Sequence, residues 1–386
     1  MMLPFVESFA HHTGIFVAAS TSVASMIFEV NRQDFRQTRA MDVPPATLAA
    51  GQVRLTVERF AFTSNNISYA VAGDMLDYWG FFPAEPPWGR IPAIGLGTVV
   101  ESANPDIEVG GRYFGFYPMG TEHIIEAERR GDHGFRDVGP HRAKHAATYT
   151  DFRDIAADPT FDLDRIDEYL LLYGMFMTSF LVDDQLGDRS FDGASTTIVT
   201  SASSKTSISL ASCLAARDNI TAIGLTSGRN RSFVEDLGLY DQVATYDEVD
   251  QLDASILAGV VDMAGSTDVI ASMHHHYGDA LAFSISVGAT HWEERSGDAA
   301  PLPGPTPEFF FAPGQLAKRV EEWGADELQA RIARAYRGLV DHSAGWLTVE
   351  HRQGPGGIER TYRDLLEGRA DPSSGFVCAM HEDPLR

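Results

Sequence analysis

Short apolar segments separated by turn-forming residues dominate the first third of the chain. They lie at 28–30, 52–62, 94–102 and 112–117. The segments partly alternate with polar positions, and glycine, proline and asparagine interrupt them, which is typical of short strands in a β-rich domain. Residues 121–160 are polar, charged and weakly periodic, so the pattern predicts a long excursion there.

The second half of the chain alternates between strand-like and helical patterns. The stretch 166–186 is apolar all round, which predicts a buried helix entering this region. Strand-like runs follow at 196–200, 221–225, 260–264 and 281–287. The first run is rich in β-branched residues, and the last two are read as strands of a parallel sheet that is covered on both faces. An amphipathic helix is predicted over 315–341, and the tail returns to a strand, helix, strand pattern at 346–351, 358–366 and 376–380.

Length and charge describe an ordinary globular protein of two domains. The 386 residues exceed the usual size of one core, and 44% of them are apolar. The formal net charge of −24 argues against a nucleic-acid partner, because binding to phosphates needs a positive surface. No apolar run reaches the roughly 18 residues that a membrane span needs, so we expect no membrane partner.

The two cysteines, Cys213 and Cys378, exclude a disulfide framework and a zinc site built from thiolates. Their small number fits a reducing compartment, and we expect a cytoplasmic protein. Residues 1–26 include a weakly apolar stretch, but no Lys or Arg precedes it as one would in a signal peptide. We interpret them as an N-terminal extension.

Residues 196–246 have the strand, turn, helix and strand order of a dinucleotide-binding unit. The residues after the second strand favour NADP over NAD. Ser227, Arg229 and Arg231 offer a hydroxyl and two guanidinium groups, and no carboxylate occurs before Glu235. Proteins that bind NAD usually place Asp or Glu there for the ribose 2′-hydroxyl, whereas Arg accommodates a 2′-phosphate. The alternative is a solvated loop with ordinary arginines.

Together these features resemble a medium-chain dehydrogenase/reductase of the zinc-free, quinone-oxidoreductase-like branch. The family's VGDRV bend is matched by Val109-Gly110-Gly111-Arg112-Tyr113, and its closing helix and GKVVL strand are matched loosely at 361–380. The resemblance implies an α/β fold with a GroES-like β-rich substrate domain (27–161) and a Rossmann domain with a doubly wound parallel sheet that binds NADP (162–312). Residues 313–386 would return to the substrate domain, and relatives often form homodimers.

The resemblance also implies chemistry without a metal. Zinc-dependent members carry a Gly-His-Glu triplet near the third β segment, where this chain has Ile94-Gly95-Leu96-Gly97-Thr98. The family's structural zinc loop with four cysteines is absent as well. Three consecutive imidazoles at 274–276 point in different directions on a helix and are expected to be a solvated surface.

The turn expected to bind phosphate departs from the family pattern. In place of a sequence close to TGASGGVG the chain has TSASSKTS at 200–207, so every glycine is replaced. Ser203, Ser204, Lys205 and Thr206 instead offer hydroxyls and one cation at a helix N-terminus, which is a good set of phosphate ligands. The alternative is a degenerate, purely structural turn, because glycines there permit close approach to the pyrophosphate.

A proton donor at the substrate oxygen is expected after the second β segment. Asn66 resembles the family's cleft asparagine, and Tyr69 follows three residues later. We predict Tyr69 as the acid and Asn66 as a polarising or positioning group. The alternative is that Tyr69 packs in the core with its hydroxyl satisfied and that Asn66 caps a helix.

Further candidates surround this expected cleft. Thr178 lies where the family's helix approaches the nicotinamide, and Gly288 and His291 follow the last strand of the expected Rossmann sheet. Loops at such strand ends line the cofactor cleft, so His291 is a second acid or base candidate. A group of aromatic residues over 79–88, with Phe116 and Tyr117, would suit an apolar or aromatic substrate. The alternative is plain core, which is the commoner role of such groups.

Three functions follow from these observations. The first is reduction, dependent on NADPH and independent of zinc, of a ketone, quinone or activated alkene. The second is a lyase or isomerase that acts on a β-hydroxy carbonyl without net redox change, and the third is a non-catalytic protein on the same scaffold. No Gly-x-Ser-x-Gly elbow and no P-loop occurs in the sequence, which excludes hydrolase and kinase functions of those types.

Overall fold

The computed structural model describes residues 25–158, 160–263, 265–287 and 301–382. The strands in these ranges are β1 (Ser25–Asn31), β2 (Asp34–Val43), β3 (Gln52–Phe62), β4 (Trp88–Gly89), β5 (Pro92–Ser102), β6 (Arg112–Pro118), β7 (Glu122–Arg129), β8 (Gly134–Asp137), β9 (Asp151–Asp154), β10 (Thr196–Thr200), β11 (Thr221–Thr226), β12 (Gln242–Thr245), β13 (Ala258–Asp262), β14 (Leu281–Ser286), β15 (Glu308–Phe309), β16 (Thr348–Gln353) and β17 (Ser374–Ala379). The helices are α1 (Ser64–Val71), α2 (Ala147–Thr150), α3 (Ile166–Asp188), α4 (Lys205–Leu214), α5 (Arg231–Asp236), α6 (Thr267–Tyr277), α7 (Ala312–Trp323), α8 (Ala325–Ser343) and α9 (Gly354–Leu366).

The second half of the chain forms the predicted parallel sheet. Its six strands run in the order β12-β11-β10-β13-β14-β15, and every neighbouring pair is parallel. All residues of β10 and β13 are buried, which explains why both are rich in β-branched and apolar residues rather than alternating with charged ones. The strand order reverses between β10 and β13, and sheets of this kind bind ligands at the carboxyl ends of the strands beside such a reversal.

The first part of the chain forms a barrel. Strands β3, β5, β6, β9, β8 and β7 follow one another in one sheet, and an additional pairing of β7 with β3 closes them into a ring. The prediction of an excursion over 121–160 was therefore wrong, since β7, β8 and β9 lie there and complete the barrel. Two of these strands have only four residues, and β7 exposes charged side chains, so the local pattern is weak.

The last segment of the chain joins this barrel. Strand β17 pairs antiparallel with β3, and β16 pairs parallel with β17. The single helix predicted over 315–341 is in fact two, α7 and α8, because Gly324 between them has φ +80. Glycine adopts that conformation without the strain that a side chain would cause.

Helix α3 connects the two sheets. It has 23 residues, and its buried side chains lie on all of its faces, as the sequence predicted. Leu171 packs against Gly375 of β17, while Ser179 reaches the first turn of α4. In the part of the chain that the structure describes, no helix is long and apolar enough to cross a membrane.

Candidate functional site

The turn between β10 and α4 lies at the strand-order reversal. Ser201 has φ +51, so a serine adopts the left-handed conformation that glycine would favour. Its N–H donates to the hydroxyl of Tyr246 (3.2 Å), and the N–H of Ala202 donates to the carbonyl oxygen of Leu225 (3.1 Å). The turn keeps a glycine-like bend without glycine, and contacts from β11 and from the segment after β12 hold it.

The amino end of α4 offers donors to an anion. Ser204 caps the helix by accepting the N–H of Ser207 (3.2 Å), and the Ser203 hydroxyl accepts a hydrogen bond from Asn230 (2.9 Å). The backbone N–H groups of Ser203, Lys205 and Thr206 have no acceptor among the described residues. Such groups at a helix N-terminus are suited to a phosphate, so this part of the turn fits a dinucleotide.

Replacing Ser201 by glycine is expected to stabilise the protein by about 0.5–1 kcal/mol, because glycine relieves the left-handed strain at that residue. Ser227→Gly is the matched control, because Ser227 has φ −78 and gains nothing from glycine. Urea unfolding of the two variants measures the difference. A lower stability for Ser201→Gly than for the wild type would contradict the argument.

Lys205 points at the last segment of the chain. Its ammonium group donates to the carbonyl oxygens of Ser374 (2.6 Å) and Pro372 (3.3 Å). Burial lowers the pKa of Lys205 to about 8, against the opposing effect of the Asp371 carboxylate. The side chain predicted to bind phosphate is therefore held by two backbone carbonyls.

The two arginines after β11 have different surroundings. Arg229 is exposed, and both of its terminal nitrogens donate to the carbonyl oxygen of Gly368 (3.1 Å each). Arg231 instead binds both carboxylate oxygens of Glu248 (2.7 Å each) and one of Glu235 (2.9 Å). Carboxylates already neutralise Arg231, so Arg229 is the better placed of the two for a 2′-phosphate. Ser227 lies beside them, before a short 3₁₀ turn.

The carboxyl ends of β10 and β13 are tied together. The Thr200 hydroxyl donates to the carboxylate of Asp262 (2.6 Å) and accepts the N–H of Met263 (2.9 Å). Asp262 also accepts the N–H of Gly265 (3.1 Å), and its side chain is buried. These hydrogen bonds hold the carboxyl ends of β10 and β13 together at the strand-order reversal.

Tyr69 and its neighbours form the candidate catalytic group in the first domain. The Tyr69 hydroxyl accepts a hydrogen bond from Asn65 (2.7 Å), and its own proton has no acceptor among the residues described. Burial raises the pKa of Tyr69 above its ordinary value, so the phenol stays protonated and able to donate. Asn65 was not predicted; its position four residues before Tyr69 on α1 is the signal that could have identified it.

Asn66 is engaged within the protein. Its Oδ1 accepts the N–H of Thr63 (2.8 Å), and its Nδ2 donates to the carbonyl oxygen of Pro92 (2.8 Å). The residue is buried and completes a capping box with Thr63 at the start of α1. These contacts correspond to the structural alternative that the sequence left open, and it is Asn65 that contacts the tyrosine.

Aromatic side chains surround Tyr69. Its ring lies 4.5 Å from that of Tyr78 and 6.3 Å from that of Phe116, centroid to centroid. Phe81 and Tyr149 complete the group, with their rings 5.2 Å apart. We call these five residues the aromatic cluster. It is largely buried and apolar, with the Tyr69 hydroxyl as a polar group at its edge.

Helix α3 brings the aromatic cluster close to the phosphate turn. Ile94, which packs against the cluster, also lies against Gly174 of α3. A Cβ atom at position 174 would be only 2.5 Å from Cδ1 of Ile94, so glycine is what allows Ile94 to come this close to the helix. Five residues later, Ser179 donates to the carbonyl oxygen of Thr206 (2.7 Å). The contacts at Gly174 and Ser179 are therefore about 7.5 Å apart along the axis of α3, which is the rise of five helical residues. Thr178 itself bonds back to Gly174 within α3 (3.4 Å).

Some candidates and alternatives lie elsewhere. Gly288 and His291 fall outside the described residues. His274 is buried rather than solvated as expected, with hydrogen bonds to Pro303 (2.8 Å) and Ser284 (2.9 Å). No group of three or more His, Cys, Asp or Glu side chains within the described ranges could hold a metal ion. A cavity of about 440 Å³ beside Ser195 and Thr221 lies at the amino ends of β10 and β11, opposite the cleft.

Comparison with known proteins places the chain in a family. A family model described as "Protein of unknown function (DUF2855)" matches residues 60–371. No curated protein matches the sequence.

Solved structures share the fold at low sequence identity. CurA from Vibrio vulnificus is 13% identical, with 94% of this chain and 100% of that chain covered and a TM-score of 0.55. The yhdH oxidoreductase from Salmonella enterica, in complex with NADP, is 14% identical (92% and 99% covered, TM-score 0.53). An alcohol dehydrogenase from Thermotoga maritima is 11% identical (92% and 99% covered, TM-score 0.56). These similarities confirm the predicted α/β fold with a GroES-like β-rich domain and a Rossmann domain.

Proposed function

The chain belongs to DUF2855, a family of proteins of unknown function, and we propose that it is a zinc-independent oxidoreductase that uses NADPH to reduce a ketone, quinone or activated alkene. One observation carries the proposal. The protonated phenol of Tyr69 belongs to the aromatic cluster, which Ile94 connects to α3 at Gly174, and the anion-binding end of α4 contacts the same helix at Ser179.

The cofactor is proposed from the fold and from the turn together. Structures of similar fold hold NADPH in CurA and NADP in the yhdH oxidoreductase. In this chain the free N–H groups of Ser203, Lys205 and Thr206 would hold the pyrophosphate, and Arg229 would hold the 2′-phosphate. When bound, NADPH supplies a hydride.

Tyr69 would donate the proton that a reduced carbonyl or enone requires. Its hydroxyl accepts from Asn65, and no described residue accepts its proton, which is therefore available to a substrate oxygen. Burial keeps the group protonated across the neutral range, which suits an acid. The aromatic cluster would bind an apolar or aromatic substrate and exclude water. Zinc independence is proposed because Gly95-Leu96-Gly97 replaces the metal-binding triplet.

Calorimetric titration with NADPH and NADH tests the cofactor. We expect micromolar binding of NADPH, and Arg229→Ala should weaken it by about 10- to 100-fold, since hydrogen bonds to charged groups contribute about 1.5–3 kcal/mol. Binding of NADH, which has no 2′-phosphate, should not be weakened by this change. Arg231→Ala is the matched control: it should alter NADPH affinity by less than about threefold, because carboxylates already bind that guanidinium.

Equal losses for NADPH and NADH would show that Arg229 does not bind the 2′-phosphate. If neither nucleotide binds the wild type, the proposed function is wrong. The non-redox lyase or isomerase and the non-catalytic protein would then be the better explanations of the glycine-free turn.

A further inference from the structure

The loop between α9 and β17 crosses the phosphate turn. We call residues 368–374 the C-terminal strap. Lys205 binds the carbonyl oxygens of Pro372 and Ser374, near one end of the strap, and Arg229 binds that of Gly368 at the other. The two side chains that hold the strap are also the two cations proposed to hold phosphates.

These contacts compete with a bound dinucleotide. Both terminal nitrogens of Arg229 donate to the one carbonyl oxygen of Gly368, and a 2′-phosphate held by this terminal pair of nitrogens would take the same donors. Lys205 gives its short, 2.6 Å hydrogen bond to Ser374, whereas a phosphate carries full negative charge and is a stronger partner than a carbonyl. The strap and the phosphates therefore compete for the same groups.

We propose that the C-terminal strap closes the nucleotide site in the free protein, and that NADPH displaces it from Lys205 and Arg229 on binding. This inference rests on the proposed cofactor and adds a regulation of the same site. Its consequence is thermodynamic. The free energy of the strap contacts is subtracted from that of nucleotide binding, so a looser strap gives tighter binding.

The strap has an internal brace at Asp371, whose carboxylate also attracts Lys205 and Arg229, so two uncharged variants are compared to isolate the brace. Oδ1 of Asp371 accepts the N–H (2.9 Å) and the hydroxyl (2.6 Å) of Ser373, and its carbonyl oxygen accepts the N–H of Ser374 (3.0 Å). The Asp371 residue is exposed, so its replacement leaves the core intact. Asp371→Ala removes the brace and the charge, whereas Asp371→Asn removes the charge and keeps an acceptor for Ser373.

The experiment measures NADPH dissociation constants and hydrogen exchange of the strap amides in the full chain. We expect Asp371→Ala to bind NADPH at least about fivefold more tightly than Asp371→Asn, because it loses both side-chain hydrogen bonds to Ser373. Strap exchange should be faster in Asp371→Ala than in Asp371→Asn without nucleotide. In the wild type, saturating NADPH should speed exchange in the strap while β3 amides keep their rates.

Three outcomes would overturn the proposal. Equal NADPH affinities of Asp371→Ala and Asp371→Asn would mean that the charge of Asp371, and not the brace, affects binding. Slower or unchanged hydrogen exchange of the strap amides with NADPH would mean that the strap stays closed. Absence of NADPH binding in all three proteins would overturn the cofactor proposal and the competition with it. That last result differs from the first two, in which NADPH binds but the strap does not respond.

Discussion

Replacing Tyr69 by phenylalanine is expected to lower the turnover rate by about 10²- to 10³-fold, the usual contribution of a positioned general acid. The affinity for NADPH should stay within about twofold of the wild type, because Tyr69 lies in the first domain and the phosphate turn in the second. The measurement is the initial rate of NADPH oxidation with a quinone or enone, together with a separate nucleotide titration.

The physical reason lies in the surroundings of the phenol. Among the described residues Tyr69 has one hydrogen-bond partner, Asn65, which donates to it, so none of them competes with a substrate oxygen for the phenol proton. Burial raises the pKa of Tyr69, and the protonated form persists as pH rises through neutrality. The rate should therefore show no loss from ionisation of this acid between about pH 6 and about pH 9.

Tyr149→Phe is the matched control for Tyr69→Phe. Its hydroxyl lies 3.4 Å from that of Tyr78 in the same aromatic cluster, so both variants remove one phenol oxygen from one group of rings. A loss of only a few fold is expected for the control. Comparable losses in both variants would indicate general disturbance of the cluster, and an active Tyr69→Phe protein would exclude the phenol as the acid.

The Rossmann half of the fold could be predicted because its signal is local. Strands such as β10 and β13 are buried on both faces, so their sequences are short runs of β-branched and apolar residues, and the strand, turn, helix order follows directly. The strands of the barrel were harder to predict from the sequence. Strands β8 and β9 have four residues each and are defined by pairing with each other rather than by their own pattern.

The candidate site shows the same division between local and distant information. Arg229 and Tyr69 were predicted from residue type and position, and both stay predictions. The hydrogen-bond partners of Lys205, Arg229 and Arg231 could not be predicted from residue type and position. Lys205 binds backbone oxygens 167 and 169 residues away, and the partner that distinguishes Arg231 from Arg229 is Glu248. Backbone acceptors carry no residue signature, so the sequence gives no indication of the strap.

Arg142 holds two residues of the aromatic cluster in place. Its replacement should lower the free energy of unfolding more than any other single substitution proposed above. Its side chain is 1% exposed, and its terminal nitrogens donate to the carbonyl oxygens of Phe81 and Tyr149. Its Nε lies 3.5 Å from a carboxylate oxygen of Asp137, which is also buried. The guanidinium thus ties two loops of the cluster together and compensates a buried charge.

Arg142→Met is expected to lower the free energy of unfolding by about 3–5 kcal/mol, because removing one member of a buried ion pair leaves the other without compensation. Burial already raises the pKa of Asp137 above its ordinary value, and loss of the cation should raise it further. A carboxyl group whose pKa is raised in the folded state destabilises the protein as pH rises from its unfolded-state pKa to its folded-state pKa. The stability lost in Arg142→Met should therefore be smaller at acidic pH. The double variant with Asp137→Asn should recover about 1–2 kcal/mol of the loss, since it removes the uncompensated charge. Urea unfolding of the three proteins measures both effects, and a double variant no more stable than Arg142→Met would show that the lost contacts to Phe81 and Tyr149, rather than the charge of Asp137, account for the whole cost.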